Sequence, residues 1–365
     1  MASPQETPHR LLRIVDANLN RIGEGLRLLE DIARLLLDDA SLSAELKGMR
    51  HQLVGDEGGV QEQLVSARNA AEDVGSNLEV PGEGHRRDLP ALVMANSRRV
   101  QESLRVLEEL AKLPTLAPPL DQARFKQSRF RLYELEQRLL SKVLRHDKLE
   151  RVEGLYVIID SQALKGRSQA EVTRQALRGG ARVIQLRDKQ HSRRELLPIA
   201  QEMKKLCAQC QALFIVNDYL DLALAVDADG LHIGQSDLPL PAVRRELPID
   251  KIVGCSTATL AQALQAQSEG ADYIAVGPIY PTPSKETPSL AGLDTLRRIN
   301  QEVSLPLVAI GGINKDNMAP VLAAGANAVA VISAVLGAQD AETASRELAA
   351  RIEAERKDQG GQNKG

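Results

Sequence analysis

Apolar positions along this chain follow two rhythms. Through the first 150 residues they recur at helical spacing, as in Leu26, Leu29, Ile32 and Leu36 and again in Val100, Leu104, Leu107 and Leu110, which predicts amphipathic helices and no strands. Gly55 to Gly59 and Pro81 to Gly84 mark loops, and Asp121 to Lys142 predicts a further long helix. From Leu155 the rhythm becomes short β-branched runs alternating with helical patterns. The runs are Leu155–Asp160, Val183–Arg187, Leu213–Asn217, Gly230–Gly234, Lys251–Gly254, Tyr273–Val276, Pro306–Ile310 and Ala328–Ile332. Eight strand-then-helix units within about two hundred residues predict a parallel (β/α)8 barrel. A doubly wound open sheet is the alternative, but it would carry a glycine-rich turn after its first strand, and Asp160-Ser161-Gln162-Ala163 is not one.

The helical half contains an internal copy. Val15, Ala17, Asn18, Arg21, Glu24, Leu26, Arg27, Leu29, Glu30 and Ala33 recur as Val93, Ala95, Asn96, Arg99, Glu102, Leu104, Arg105, Leu107, Glu108 and Ala111. Two copies predict a pseudo-symmetric pair of helices, since a solenoid needs at least three repeats to bury a continuous core. Gly25 corresponds to Ser103. Glycine within a helix costs about 1 kcal/mol against alanine, so a close helix crossing is expected there.

The expected organisation is an all-helical domain over 1–150, the barrel over 151–340, and a helix end with a disordered, polar tail over 341–365. At 365 residues two domains are the natural division. Scarce aromatics, no tryptophan and a net charge of -3 disfavour a nucleic-acid or membrane surface. Three cysteines, no leader and no spanning apolar run indicate a cytoplasmic protein. Cys207 and Cys210 have redox or zinc spacing, but no second pair or nearby histidine completes a ligand set, so reduced helix cysteines are the expectation. Self-association into a homo-oligomer stays open.

In a parallel barrel the carboxyl ends of all strands share one mouth, so residues distant in sequence meet there. Alternate residues Gln185, Arg187 and Lys189 project an amide and two cations to one face. Asn217-Asp218 ends the third run, and His232-Ile233-Gly234-Gln235-Ser236-Asp237 follows the fourth. Asp218 and Asp237 suit Mg²⁺, which takes one or two carboxylates and completes its shell with water and phosphate oxygens. An aspartate at a strand end is otherwise a helix cap, and Arg187, Lys189 and Lys285 are what favour the ligand role here. Asp229 reads as a turn residue, and His232 as a packed neutral histidine before a catalytic base. Ser256 is placed after the fifth strand, as a phosphate contact or a cap, and no nucleophile elbow accompanies it. Gly311-Gly312 and Ile332-Ser333-Ala334 supply a phosphate cup after the last two strands. One site for an oligophosphate and one for a monophosphate imply two small phosphorylated substrates.

From about Leu155 to Leu336 the chain resembles the thiamine-phosphate synthase family. The resemblance rests on Val183-Ile-Gln-Leu-Arg-Asp-Lys189, Phe214-Ile-Val-Asn-Asp218, Asp229-Gly-Leu-His-Ile-Gly-Gln-Ser-Asp237, Gly277-Pro-Ile-Tyr-Pro-Thr-Pro-Ser-Lys285 and Ala309-Ile-Gly-Gly-Ile313. It implies a transferase that joins hydroxymethylpyrimidine diphosphate to a thiazole phosphate and releases diphosphate. It further implies Gln185 on the aminopyrimidine, Arg187, Lys189, Asn217, Ser256 and Lys285 around the diphosphate, and Asp218 and Asp237 on Mg²⁺. Thr282, Ser284, Gly312, Ile332 and Ser333 would take the thiazole phosphate, and Arg187, Lys189, Lys285 and Ser256 would act in catalysis. Ser236 stands where the family often has an acidic residue.

A related thiazole tautomerase carries a histidine after the sixth-strand glycine, whereas Gly277 is followed here by Pro278. The helical half resembles an extension of some long-form synthases, with Ala-Asn-x-x-Arg-x-x-Glu-x-Leu-Arg in both copies, and its role is not implied by the barrel chemistry. Arginine–glutamate pairing along each helix is one account of that motif, and a paired arginine site built on Arg27 and Arg105 is the other. A ligand-sensing or assembly module is the corresponding functional reading.

Overall fold

A computed structural model describes residues 6–55, 60–68, 86–116, 119–282 and 290–362. The chain divides into two compact units, Met1–Leu144 and Arg145–Gly365. The first is helical, with α1 (Glu6–Asp31), α2 (Ala40–Val54), α3 (Val60–Ala67), α4 (Leu89–Leu110) and the long α5 (Gln122–Glu150), which runs on into the second. Asp39 caps α2 by accepting from Leu42 N–H at 3.0 Å, and Asp88 caps α4 through Ala91 N–H at 2.8 Å, each satisfying a donor the helix itself leaves open.

The duplicated helices α1 and α4 pack on each other. Equivalent positions face inward on both: Val15, Ile22, Leu26 and Leu29 on one, Val93, Val100, Leu104 and Leu107 on the other. A Cβ added to Gly25 would stand 2.5 Å from Val100 Cγ2, so the helices do cross closely at this glycine. Leu36 departs from the expectation: it is 38% exposed. After Asp31 the helix continues as a π-helical stretch, Ile32–Leu36, whose wider turn rotates the apolar face away from the core.

The second unit is a closed parallel barrel in sequential order. Its strands are β1 (Gly154–Asp160), β2 (Val183–Arg187), β3 (Leu213–Asn217), β4 (Gly230–Ile233), β5 (Ile252–Thr257), β6 (Tyr273–Val276), β7 (Leu307–Ile310) and β8 (Ala328–Val331). Because strand side chains alternate, each strand feeds two cores. Leu155, Val157 and Ile159 point out to the surrounding helices, whereas Tyr156, Ile158, Val183, Ile215, Tyr273 and Val308 fill the barrel interior. Full burial of such aliphatic side chains contributes roughly 1.5–3 kcal/mol each.

Two expectations are corrected. Strand β5 does not stop at Gly254. It continues through Thr257, because Cys255, Ser256 and Thr257 stay paired with Ile274, Ala275 and Val276 of β6. The polar tail expected within 341–365 is helical as far as Gln362, in a C-terminal helix (Ala341–Gln362). That helix packs beside α6 (Gln169–Arg178) and buries Ser345, Leu348 and Ile352. The cysteines are free, with Cys207 buried near the end of α7 (Arg193–Gln209) and Cys210 exposed just beyond it. Among the described residues no helix is long and apolar enough to cross a membrane.

Candidate active site

At the carboxyl ends of the strands lies a cavity of about 570 Å³. Every described residue of the sequence-derived set lines it: Gln185, Arg187, Lys189, Asn217, Asp218, Asp237, Ser256, Thr282, Gly312, Ile332 and Ser333. Ser284 and Lys285 fall outside the described residues. The gathering follows from register. Gln185 and Arg187 leave β2 on the inward face, Asn217 ends β3 opposite His232 of β4, and Ser256 leaves β5 two residues beyond Gly254, the partner of His232.

On the β2–β4 side, Lys189 Nζ lies 3.5 Å from Asp218 Oδ2. Asp218 adopts a left-handed backbone, φ 63°, which aspartate tolerates better than most residues. Burial, followed by the neighbouring Asp237 carboxylate, pushes its pKa up to about 6 despite Lys189. Asp237 is fixed from behind, accepting from Gly234 N–H at 2.7 Å. With Asp237 raising the proton affinity of Asp218, the two adjacent carboxylates form an anionic pair that, among the described residues, has Lys189 beside it. An oxygen-seeking divalent cation fits that pair in charge and donor type, and two carboxylates leave most of an Mg²⁺ shell to water and phosphate. Among the described residues no group of three or more His, Cys, Asp or Glu side chains could hold a metal, so a fully protein-built cage is not what this site offers.

Arg187 is held by Asp160, the last residue of β1, whose Oδ2 accepts from its guanidinium. Asp160 itself is 5% exposed and also accepts from Gln162 N–H at 3.0 Å. This partner was missed in the sequence, although Asp160 is paired with Arg187 across β1 and β2, and the inward alternation of β1 places it there. On the β7–β8 side, Gly311 and Gly312 have φ of 102° and 68°, and a Cβ on Gly312 would stand 2.6 Å from the Pro281 carbonyl oxygen. Asn317 Nδ2 donates to Gly312 O at 2.9 Å and holds the turn. Asp229 serves structure, as expected, accepting from Phe214 N–H at 2.9 Å and pairing with Lys204 at 2.7 Å.

The sequence separates Ser256 from every histidine, yet in the barrel His232 Nε2 lies 2.8 Å from Ser256 Oγ. Below them, Tyr273 and Tyr156 join hydroxyls in the barrel floor, each fully buried. Burial, the first cause in both, pushes these phenols above their ordinary range, so they remain protonated hydrogen-bond donors. Inward positions occupied by polar-tipped side chains in β1, β4 and β6 were the available signal.

In the helical unit Arg27 and Arg105 are paired within their own helices. Arg27 meets Glu30 at 3.7 Å and Asp31 at 3.3 Å, and Arg105 meets Glu108 at 2.7 Å and Glu109 at 2.6 Å. Both buried glutamates gain a second arginine from a neighbouring helix, Arg50 on Glu30 at 2.9 Å and Arg129 on Glu108 at 3.1 Å. The last arginine of each motif copy thus joins a corresponding Arg–Glu–Arg clasp.

Residues 155–335 match the family model described as thiamine monophosphate synthase, and residues 13–138 match the ThiD2 family. A solved thiamine phosphate pyrophosphorylase from Pyrococcus furiosus is 42% identical, with 57% of this chain covering 98% of that one at a TM-score of 0.53. The thiamine-phosphate synthase of a Synechocystis species is 40% identical over 350 residues, 95% of this chain and 98% of the relative. That of a Synechococcus species is 41% identical over 342 residues, 93% and 95% respectively. With such identity sustained through both units, the chain belongs to the thiamine-phosphate synthase family, transferases of thiamine biosynthesis.

Proposed function

We propose that the barrel cavity binds 4-amino-2-methyl-5-hydroxymethylpyrimidine diphosphate and a thiazole phosphate face to face. The single observation that carries this reading is the polarity of the cavity: cations and paired carboxylates from β2 to β4 stand across one mouth from the Gly312 and Ser333 turns of β7 and β8. Arg187, Lys189, Asn217, Ser256 and Lys285 take the diphosphate, and Gln185 takes the aminopyrimidine. Thr282, Ser284, Gly312, Ile332 and Ser333 take the thiazole phosphate through hydroxyls and backbone N–H groups. Asp218 and Asp237 would hold Mg²⁺, which when bound supplies positive charge to the diphosphate oxygens.

The residues then act by charge and position. As the pyrimidine methylene C–O bond breaks, negative charge grows on the departing diphosphate, and Arg187, fixed by Asp160, with Lys189 and Lys285 stabilises it more in the transition state than in the ground state. The electron-rich aminopyrimidine stabilises the methylene cation, and the thiazole nitrogen, held in line by its anchored phosphate, forms the new C–N bond. No protein nucleophile is needed for this step.

The same proposal assigns 1–150 to a separate helical domain that senses a ligand or mediates self-association, 151–340 to the synthase domain and 341–365 to a C-terminal segment, in a cytoplasmic enzyme. The thiamine monophosphate synthase model matches residues 155–335, within the barrel, and 57% of this chain suffices to cover 98% of the Pyrococcus furiosus chain, which supports treating the barrel as the chemical unit. Incubating the full chain with both substrates and Mg²⁺ should yield thiamine phosphate and diphosphate in equal amounts. No product under these conditions rejects the substrate assignment. Unchanged turnover and unchanged association state in residues 151–365 alone would discard the regulatory and assembly roles of the helical half.

A further inference from the structure

Five side chains from five strands form one hydrogen-bonded line through the barrel. Gln185 Nε2 donates to Tyr156 OH at 2.8 Å, Tyr156 OH meets Tyr273 OH at 3.1 Å, Tyr273 OH meets His232 Nδ1 at 3.0 Å, and His232 Nε2 meets Ser256 Oγ at 2.8 Å. Its two ends, Gln185 and Ser256, both line the cavity. The line is built into the fold. A Cβ on Gly254 would sit 2.0 Å from Tyr273 Cζ, so β5 leaves out a side chain where the Tyr273 ring lies, and the His232 ring stacks on that ring at 5.7 Å between centroids.

Donor arithmetic gives the line a direction. A phenol has one proton to give, and a neutral imidazole has one N–H and one acceptor nitrogen. Once Gln185 Nε2 donates to Tyr156, the Tyr156 proton points to Tyr273 and the Tyr273 proton to His232 Nδ1. His232 then carries its proton on Nε2 and donates to Ser256 Oγ, leaving the Ser256 hydroxyl proton for the cavity. In the opposite polarity the Gln185 amide is flipped, every proton points back, and Ser256 offers the cavity only lone pairs. An imidazolium would donate at both nitrogens and break the one-way line, so the coupling belongs to the neutral ring.

We infer that Tyr156, Tyr273 and His232 are specificity-determining positioning residues that couple the two ends of the pyrimidine diphosphate. The inference rests on the proposed placement of that substrate. An anionic diphosphate needs a donor from Ser256, which selects the polarity in which Gln185 turns Nε2 to the floor and offers Oε1 as an acceptor. The site therefore takes a ring presenting a donor, an exocyclic amine, and rejects the ring presenting a carbonyl oxygen there. A mismatch at one end leaves a buried polar group unpaired, which in sites built on such contacts discriminates by factors on the order of 10⁴.

The test compares kcat/KM for the 4-amino pyrimidine diphosphate and its 4-oxo analogue in the full chain. Unsubstituted protein should strongly prefer the amine. Tyr156→Phe and Tyr273→Phe should narrow that preference by at least about ten-fold, because the amide is freed to flip. Ser256→Ala, although at the diphosphate end, should narrow it too, an effect that loss of one phosphate contact does not produce. Preference unchanged in all three variants overturns the coupling and leaves the proposed reaction intact, whereas no turnover of the amine by unsubstituted protein strikes the proposed reaction instead. Where a variant fails to fold, ¹⁵N spectra of the unsubstituted protein with Mg²⁺ and inorganic diphosphate decide: His232 protonated on Nε2 is expected, and protonation on Nδ1 overturns the inference.

Discussion

The helical unit and the barrel mouth are both rich in charge, and they use it in opposite ways. In the helices, Glu30 and Glu108 are each clasped by two arginines, one from the same helix and one from a neighbour. In the mouth, Asp218 and Asp237 lie against each other with Lys189 as the nearby cation, and Asp218 is left with a raised pKa. Charges neutralised within the fold stabilise it. Charges left unbalanced in a cavity are a cost to the empty protein that a ligand of opposite sign can offset, which is the usual trade between stability and activity.

The strongest way to break this comparison is to remove one carboxylate from each region. Glu108→Ala should destabilise the chain by about 3 kcal/mol in a denaturant titration, since it strips the carboxylate from the largely buried Arg129. Asp218→Asn should behave oppositely. It should lower kcat/KM by about 10²–10³ and alter the Mg²⁺ concentration dependence, yet leave the metal-free protein unchanged or more stable by up to about 1 kcal/mol, a figure discounted for solvent screening. Equal destabilisation by both substitutions would erase the distinction, and activity with unaltered Mg²⁺ demand would remove Asp218 from the metal.

Asp160→Asn sharpens the comparison from within the barrel, because Asp160 is paired like a structural residue but holds a cavity cation. A loss of about 10²-fold in kcat/KM is expected, as a small misplacement of a charge-stabilising group suffices. The loss should fall mainly on kcat if Arg187 works in the transition state. A rise in KM alone would mean that Asp160 serves only binding.

How much of this was legible depended on whether the signal was periodic. The eight strands and the facing copies of α1 and α4 appear in the sequence because burial imposes a period of two or of 3.6 on every residue of an element. Gly25 was legible for the same reason, as a glycine inside a helix whose repeat places a small serine, Ser103, at the matching position. The closing of β5 was not, because Ser256 and Thr257 are polar and only their pairing with β6 keeps them in the strand. The cavity set could be collected because motifs lie at strand ends, but the supporting partners could not. The link from His232 to Ser256 spans adjacent strands, and that from Gln185 to Tyr156 joins neighbouring ones. Such pairs depend on barrel register, which a linear reading does not contain. The π-helical stretch at Ile32–Leu36 likewise left no mark in the heptad, which continues through Leu36 as if the pitch were unchanged.

A smaller effect separates paired from unpaired charge by pH. Burial works against the Asp39 carboxylate, but hydrogen bonds from Lys142 and Leu42 N–H outweigh it, and the pKa is lowered below the ordinary 3.8. A depressed folded-state pKa contributes stability that is fully present above the unfolded value and disappears as pH falls through the folded one. Asp39→Asn, which keeps most of the cap but loses the charge, should therefore be less stable than the parent by up to about 1 kcal/mol at pH 7 and at pH 5. The gap should close only below about pH 3.8. A deficit that persists undiminished at pH 2.5 would assign it to lost cap geometry.

The least effect is expected where the two accounts of the repeat motif differ most. If Arg27 and Arg105 are no more than half-exposed partners of their own helices, then Arg27→Ala should shift stability by less than about 1 kcal/mol and leave synthesis of thiamine phosphate unchanged. The buried glutamates retain Arg50 and Arg129 in that case, so the clasps stay closed from the other side. An anion-binding role makes a different demand. Arg27→Ala and Arg105→Ala would then abolish an increase in melting temperature produced by inorganic phosphate or diphosphate in the parent, because a ligand that binds only the folded state stabilises it by mass action. Since each arginine already meets two carboxylates, an added anion would have to displace them, and equal thermal responses in parent and variants are the outcome the geometry favours.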